Sequence, residues 1–348
     1  MTLNRRSALT GMGLALWSAQ MPARAGTDRT LRIVVPFAPG GPGDFSARLA
    51  AVHLARELDQ NVIVENKPGA GGNIGTQLVA DAPADGSTVL LNTVGMQAIN
   101  PLLYPNLRFS PTRDFLTLGI VSVVPNVLVV HPTKLEVGTL ADLVELARRK
   151  PDQLSYATFG SGSSPHIYAA LLLKSAGMEA VGVPYKGSAP ASADVMAGNV
   201  DFLFDSMTTS LGPIQGKRLK GLAITSQGRS PQLPAIPTMQ ECGYPAVNLR
   251  FWLSLQIHAK TPAPVVDRLR AALYRSITSP EYLASLSARG AEGLAIEPVD
   301  TVGQAPFTVA LRTGSGTLGL PPRKAVRVLV TVVAPPAAAF ALADSVDW

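Results

Sequence analysis

Short apolar runs rich in β-branched residues alternate along the chain with amphipathic stretches in which apolar residues recur every three to four positions. The first run, Leu31–Val35, is broken only by Arg32, and an apolar-periodic stretch follows it over residues 45–59. Such runs predict mostly buried strands, and the periodic stretches predict helices, so the alternation predicts an α/β fold. Further strands are predicted at residues 61–65, 88–93, 121–131, 154–157, 181–183, 200–204, 221–225 and 248–258, and further helices at residues 139–150, 165–176, 189–197 and 264–277, with another ending near residue 80.

A proline- and glycine-rich loop, residues 36–43, separates the first strand from the first helix. Neither a strand nor a helix continues through it, and Asp44 then stands where an N-cap is expected. Such a junction points unpaired backbone N–H groups and the positive end of a helix dipole at one small volume, which favours an anion there. The glycines could equally serve only to turn the chain sharply beneath a sheet.

The same arrangement recurs at residues 158–166, TFGSGSSPH, where Pro165 suits the first turn of a helix. Two helix N-termini, one in each half of the chain, could hold the two ends of a small carboxylate through backbone N–H groups and serine hydroxyls. Lys186, in a loop after the strand at residues 181–183, could add positive charge or could simply be solvated.

Two apolar segments, residues 121–131 and residues 248–258, are long enough to carry the chain from one domain to another and back. They predict a discontinuous first domain, residues 26–125 plus 250–298, and a second domain, residues 126–249. Paired crossing segments of this kind act as a hinge, about which two domains can close on a ligand.

The first 25 residues have the features of a secretory signal peptide. Arg5 and Arg6 precede an apolar run at residues 8–17, and Ala23-Arg24-Ala25 has the small-x-small form of a cleavage site. We therefore expect export to the periplasm. The arginine pair leaves both general secretion and twin-arginine export open.

Charge and cysteine content exclude several classes of protein. Three of the arginines behind the net charge of +6 belong to the signal segment, so the mature chain has only a mild basic surplus. The one compact basic cluster, residues 148–150, ends a predicted helix, which argues against a nucleic-acid partner. A single cysteine, Cys242, excludes an intrachain disulfide, and four scattered histidines have no metal-ligand spacing.

Catalytic and cofactor motifs are weak. The loop at residues 67–75, KPGAGGNIG, places Ile74 where the third glycine of a dinucleotide-binding motif should be, so no cofactor is predicted. Ser161, Ser163 and Ser164 lie near His166, but the sequence around them is not the G-x-S-x-G nucleophile elbow. An exported serine hydrolase using the loop at residues 160–166 stays open as the alternative to a binding protein.

Six segments, in this order along the chain, carry a resemblance to a known family: VPFAPGGPGD (Val35–Asp44), VENKPGAGGNIG (Val64–Gly75), GSGSSPH (Gly160–His166), VPYKGSAPA (Val183–Ala191), AGNVDFLFD (Ala197–Asp205) and LPAIPTMQECGYP (Leu233–Pro245). The chain resembles the Bug-type extracytoplasmic receptors of tripartite tricarboxylate transporters. The resemblance implies a two-domain class II periplasmic-binding fold of the Venus flytrap type, which closes on a small carboxylate without catalysis. It also implies a monomer that delivers its ligand to an integral-membrane permease; a scavenging or sensory binding protein without a transporter stays possible.

The resemblance further implies which residues face the ligand. In the family the loop after the first strand and a loop of the second domain both contact the carboxylate, and two further positions line the cleft. Carried onto this chain, the implied ligand-binding residues are Phe37, Gly41, Asp44, Thr93, Ser161, Ser163, Ser164, His166 and Asp205.

The end of the chain departs from the family pattern. Family members usually finish with an acidic helix and a Glu before a Trp, whereas no glutamate follows Glu297 here. Residues 299–348 therefore form an atypical tail, which would fit an altered reading frame after about Pro298 or a divergent end.

Overall fold

The computed structural model describes residues 30–293. The predicted signal peptide and the atypical tail at residues 299–348 both lie outside the described residues. Within them the chain forms ten strands: β1 Leu31–Val35, β2 Val62–Asn66, β3 Thr88–Thr93, β4 Phe115–Val123, β5 Asn126–Val130, β6 Ser155–Thr158, β7 Val181–Pro184, β8 Phe202–Ser206, β9 Lys220–Ile224 and β10 Trp252–His258.

The described α-helices follow the strands closely along the chain. They are α1 Pro42–Leu58, α2 Asn73–Ala80, α3 Asn100–Leu103, α4 Leu140–Arg149, α5 Ser164–Ala176, α6 Ser188–Ala197, α7 Met207–Gln215, α8 Ala263–Thr278 and α9 Pro280–Ala288. A short 3₁₀ turn, Ala70–Gly72, precedes α2, and a π-helical turn, Gly95–Ile99, precedes α3.

The strands form two mixed five-stranded sheets, in the orders β2-β1-β3-β10-β4 and β7-β6-β8-β5-β9. In the first sheet β1 is parallel to β2 and β3, and β10 is antiparallel to β3 and β4. In the second sheet β6 is parallel to β7 and β8, and β5 is antiparallel to β8 and β9. We call each sheet, with the helices packed on it, the first lobe and the second lobe.

The first sheet is completed only after the second one has been built, because β10 returns to it from the second lobe. Two segments connect the lobes, one at Val124–Pro125 and one between β9 and β10. They lie side by side, since the Val124 amide donates to the Phe251 carbonyl at 2.9 Å. This arrangement confirms the predicted two-lobed α/β fold with two adjacent crossing segments.

Both faces of each sheet are covered by apolar side chains. In β1, Ile33 and Val35 pack toward α1 and α8, whereas Val34 packs on the opposite face with Leu90. A strand buried on both faces needs an unbroken apolar run, which explains the pattern that predicted it. Full burial of each such side chain contributes about 1.5–3 kcal/mol to the stability of the fold.

Most predicted elements are found within about three residues of their expected ends. The predicted strand at residues 121–131 is two strands, because Pro125 has no N–H to donate to a ladder. The prediction of Asp44 as an N-cap was wrong: Gly41 is the N-cap of α1, and Pro42 occupies the first turn, where its fixed φ suits the helix. Helices α3, α7 and α9 were not predicted.

Candidate functional site

A cavity with a volume of about 610 Å³, including its open mouth, lies between the two lobes. Both lobes line it, and so do both crossing segments, through Val124 and Phe251. A ligand in this cavity would therefore touch every part of the molecule that moves when the lobes separate.

The start of α1 forms the wall contributed by the first lobe. Gly41, Pro42 and Gly43 line the cavity at this helix start. A Cβ atom on Gly43 would lie 2.8 Å from Leu91 Cδ2, so a larger residue here would have to displace the end of this β3 side chain. Within a helix's first turn the backbone N–H groups have no intrahelical acceptor, which leaves them available to an anion.

Asp44 supports this helix start from behind and is not among the lining residues. Its carboxylate accepts a hydrogen bond from the Gly40 amide at 3.0 Å and forms an ion pair with Arg48, also at 3.0 Å. Burial alone would raise the pKa of Asp44, but the hydrogen bonds from Arg48, Gly40 and Asn66 outweigh it and lower that pKa. Asp44 therefore stays ionised and fixes the loop before α1.

The start of α5 forms the facing wall, and Ser163 and Ser164 line the cavity there. Ser163 Oγ donates to the Gly160 carbonyl at 2.6 Å and accepts from the Phe159 amide at 3.2 Å. The Ser163 hydroxyl thus closes the turn that presents the helix start.

Two further helix starts, which the sequence analysis did not single out, open onto the same cavity. Gly187 and Ser188 lie at the start of α6, and Ser206 is the N-cap of α7. Strands β6, β7 and β8 are mutually parallel and precede α5, α6 and α7, so these three helices all start at one edge of the second sheet. The repeated order of strand and helix in the sequence could have predicted that a ligand binds at this edge of the second sheet.

Four helix N-termini therefore converge on one cavity, and no lysine or arginine of residues 30–293 lines it. Each N-terminus carries about half a positive charge and stabilises a nearby anion by roughly 0.3–1 kcal/mol, or more where it is partly buried. The positive potential of the site thus comes from the backbone. Lys186, whose charge the sequence left open, is exposed and is not among the lining residues.

The structure brings together five of the nine predicted site residues as cavity lining: Phe37, Gly41, Thr93, Ser163 and Ser164. Thr93 also caps the π-helical turn, because its Oγ1 accepts from the Met96 amide at 3.2 Å. Asp44, Ser161, His166 and Asp205 lie outside the lining.

The three outlying residues of the second lobe lie just behind the cavity. The Ser161 carbonyl accepts from the Tyr104 hydroxyl of the first lobe at 3.4 Å. His166 Nδ1 accepts from the Gly162 amide at 3.3 Å, and burial lowers the pKa of this histidine. Asp205 is fully buried beneath Ser188.

Apolar residues that the sequence analysis missed complete the cavity. Phe159 follows β6, and Phe251 and Leu253 come from the segment that returns to the first lobe. Asn126, at the start of β5, is held by two bonds: its amide N–H donates to Thr225 Oγ1 and its Nδ2 donates to the Phe204 carbonyl. No local pattern marks these residues, because their place in the cavity follows from the packing of the two lobes.

The lobes touch each other at the mouth of the cavity. The Ala38 amide donates to the Lys186 carbonyl at 3.2 Å, and Tyr104 Oη donates to the Ser161 carbonyl. Glycines allow this approach, since a Cβ atom on Gly71 would lie 2.6 Å from the Ser161 carbonyl oxygen. The structure therefore shows the closed arrangement of the lobes.

Asp205 is the most strongly perturbed acid near the cavity. Its Oδ1 accepts from Ser188 Oγ at 2.7 Å and from the Ser206 amide at 2.8 Å. Burial raises the pKa of Asp205 to about 6, against the opposing effect of these hydrogen bonds and of one from Thr209.

Asp205 should make the stability of the protein depend on pH. Its pKa is about 6 in the folded state and about 3.9 in an unfolded chain, so the folded state binds the proton more tightly. The stability that this proton confers is complete below about pH 4 and is lost as the pH rises to about 6; the loss amounts to about 3 kcal/mol. We expect the free energy of unfolding of wild type minus that of Asp205→Asn, measured by urea denaturation, to fall by about 2 kcal/mol between pH 4 and pH 7. A difference that stays constant with pH would contradict the assignment.

Residues 30–293 contain no cluster of three or more histidine, cysteine, aspartate or glutamate side chains arranged to hold a metal ion. In the same part of the chain, no helix has both the length and the apolar character that a membrane crossing requires.

Comparison with known proteins agrees with this architecture. A family model described as the tripartite tricarboxylate transporter family receptor matches residues 46–305. Protein BugT of Bordetella pertussis is 33% identical over 306 residues, which cover 87% of this chain and 94% of that protein.

Two solved structures from Rhodopseudomonas palustris are similar in both sequence and fold. MatC with bound malate is 30% identical, with a TM-score of 0.73 over 78% of this chain and 91% of its own. Rpa4515 with adipate is 33% identical, with a TM-score of 0.73 over 79% of this chain and 90% of its own. Together with the convergent helix starts, these matches show that the chain belongs to the tripartite tricarboxylate transporter receptor family, which includes the Bug-type periplasmic solute-binding proteins.

Proposed function

We propose that this protein is a periplasmic solute-binding receptor that captures a small carboxylate between its two lobes and delivers it to a membrane permease. The observation that carries the proposal is the convergence of four helix N-termini on a cavity whose lining contains no lysine or arginine. Backbone N–H groups at helix starts bind carboxylates without the cost of burying a cationic side chain.

The chemistry of the walls supports a ligand with charged ends and an apolar middle. Phe37, Phe159 and Phe251 line the cavity between the helix starts of the two lobes. A dicarboxylate with a hydrocarbon chain would place its carboxylates at the helix starts and bury its methylene groups on these rings. The adipate bound by Rpa4515 and the malate bound by MatC have this dicarboxylate character.

The geometry of the serine loop favours binding over hydrolysis. A serine nucleophile must give its proton to a base, whereas the Ser163 hydroxyl donates to the Gly160 carbonyl. His166 Nδ1 is not available to Ser163 as a base either, because it accepts from the Gly162 amide. We therefore propose that the protein is not an enzyme, needs no cofactor, and works as a monomer that presents its ligand to permease subunits.

A thermal-shift screen over mono-, di- and tricarboxylates tests the proposal. At one hundred times its Kd a ligand stabilises the folded state by about 2.7 kcal/mol. For a protein of this size we expect the Tm to rise by about 4 °C with at least one dicarboxylate.

Adipamide, which has the shape of adipate without its charge, is the matched control and should leave the Tm unchanged. Recovery of the bound acid unaltered supports a receptor. The proposal is overturned if no acid raises the Tm, or if the protein turns over an ester or amide and loses that activity in Ser163→Ala.

A further inference from the structure

Asp205 is a fully buried acid that lies next to a cavity favouring anions. Its relative exposure is 0%, and its Oδ1 accepts hydrogen bonds from Ser188 Oγ and the Ser206 amide. Its Oδ2 is buried with no hydrogen-bond partner among the described residues. Burying a charged oxygen without a hydrogen bond costs free energy, which favours the protonated, neutral form of this carboxyl group.

The two residues that hold Asp205 are both part of the cavity wall, since Ser188 and Ser206 line it. Asp205 therefore lies directly behind two residues of the cavity wall and is hydrogen-bonded to both. While Asp205 is ionised, its Oδ1 accepts the hydrogen bond of the Ser188 hydroxyl, whose oxygen also lies 3.0 Å from Thr209 Oγ1, so this hydroxyl has no hydrogen left to donate to a ligand. Lone pairs facing a carboxylate ligand are repulsive.

Within residues 30–293, no charged side chain acts on Asp205. Strand β5 and helix α7 contain no titratable residue, and the pKa of Asp205 has no charged group among its causes. The titratable or charged residues on the other elements packed against β8, or next to them, are Tyr156 on β6, His166, Tyr168 and Lys174 on α5, Tyr185 and Lys186 between β7 and α6, Asp194 on α6 and Asp201 before β8. Of these, Asp194 accepts from Tyr185, and Asp201 is paired with Lys134 at 2.9 Å.

We propose that ligand capture by this receptor is coupled to the uptake of one proton by Asp205, which frees the Ser188 hydroxyl to donate to the bound carboxylate. The proposal rests on the carboxylate-binding function proposed above. The proton comes from solvent, and no covalent bond to the ligand forms or breaks.

Two effects of an occupied cavity act in the same direction. The ligand displaces water from the far side of Ser188 and Ser206, and it brings a negative charge close to Asp205. Both disfavour the ionised carboxylate. Because the free protein already titrates at about pH 6, affinity should be highest at or below that pH and should fall as the pH rises above it.

Isothermal titration calorimetry tests the coupling directly. Adipate, or whichever acid of the screen gives the largest thermal shift, is titrated at pH 7 in two buffers of different ionisation enthalpy. We expect the wild-type protein to take up at least half a proton per ligand, and its Kd to rise about tenfold between pH 6 and pH 8, where the ligand's own carboxyl groups stay ionised.

Two variants identify the residue that takes up the proton when the ligand binds. Asp205→Asn should bind without proton uptake, and its Kd should change less than twofold over the same pH range. Asp194→Asn, which neutralises a carboxylate on α6 that does not line the cavity, should keep the wild-type uptake. Uptake that persists in Asp205→Asn would overturn the proposal, since His166 or another group would then take the proton.

Infrared spectroscopy of the wild-type protein tests the proton uptake even if Asp205→Asn does not fold. With ¹³C-labelled ligand carboxylates, the ligand-induced infrared difference spectrum should contain the band of a protonated protein carboxyl group, which a histidine cannot produce. Binding without that band overturns the coupling and leaves the receptor function standing. Absence of binding by every acid in the screen overturns the receptor function itself.

Discussion

The variant Gly95→Ala should lose about a thousandfold in ligand affinity while the unliganded protein stays folded. Gly95 follows β3 in the first lobe, and a Cβ atom there would overlap the carbonyl oxygen of Gly162 in the second lobe. The obstacle is a backbone atom, which cannot rotate away as a side chain can. The lobes could then relieve the overlap only by staying apart, and the ligand would lose the contacts of one lobe, a cost of about 4 kcal/mol.

We expect Gly95→Ala to impair only the closure of the two lobes, because Gly95 does not adopt a left-handed backbone conformation that alanine would strain. Gly212→Ala is the matched control, since that glycine lies in α7 and nothing lies within 4 Å of its added Cβ. We expect calorimetry to give wild-type affinity for the control, and thermal melting to give unliganded Tm values within a few degrees of wild type for both variants. Wild-type affinity in Gly95→Ala would show that this close approach of the lobes is not needed for binding.

The variant Tyr168→Ala should lower the free energy of unfolding by about 3–5 kcal/mol, as expected for a large side chain removed from a packed core. Tyr168 lies on α5 with a relative exposure of 0%, and its ring packs against Phe204 at 5.5 Å and Phe251 at 6.3 Å. Its hydroxyl donates to the Leu249 carbonyl at 2.5 Å. The side chain therefore joins the helix that presents Ser163 and Ser164 to the segment that returns to the first lobe.

Tyr168→Phe separates the two contributions of this side chain. It keeps the ring and removes only the hydroxyl, which leaves the Leu249 carbonyl without this donor and should cost about 1–3 kcal/mol. Urea denaturation of wild type and both variants measures the two steps. If Tyr168→Ala destabilises no more than Tyr168→Phe, the ring does not stabilise the junction between α5 and the returning segment.

The amino-acid sequence determined the features that depend on neighbours along the chain. The apolar run Leu31–Val35 and the Gly/Ser loop before α5 each predicted a strand or a helix start where the structure has one. Those two helix starts, with Phe37, Gly41, Ser163 and Ser164 beside them, do line one cavity. Local signals sufficed because glycine, proline and serine restrict the backbone over only a few residues.

Helix boundaries were predicted less well where two local rules competed. Asp44 is a favoured N-cap residue, but Pro42 is favoured in the first turn, and the structure starts the helix at the proline. Helix α7 was missed because Gly212 and Pro213 normally end helices. Its start is nevertheless fixed by Ser206, whose Oγ accepts from the Thr208 amide.

Only the tertiary structure decided which residues meet. Asp44 and Asp205 are the same type of residue, yet Asp44 is ionised in a cluster with Arg48, whereas Asp205 lies buried beneath Ser188. Phe159 and Phe251 are ninety-two positions apart and share a wall because the chain crosses between lobes twice. Local sequence therefore specified where helices start, whereas the order of parallel strands and the closure of the lobes determined that four of those starts face one small volume. The reason is physical: backbone preferences act over one turn, but burial and electrostatic fields depend on everything that packing brings within a few ångströms.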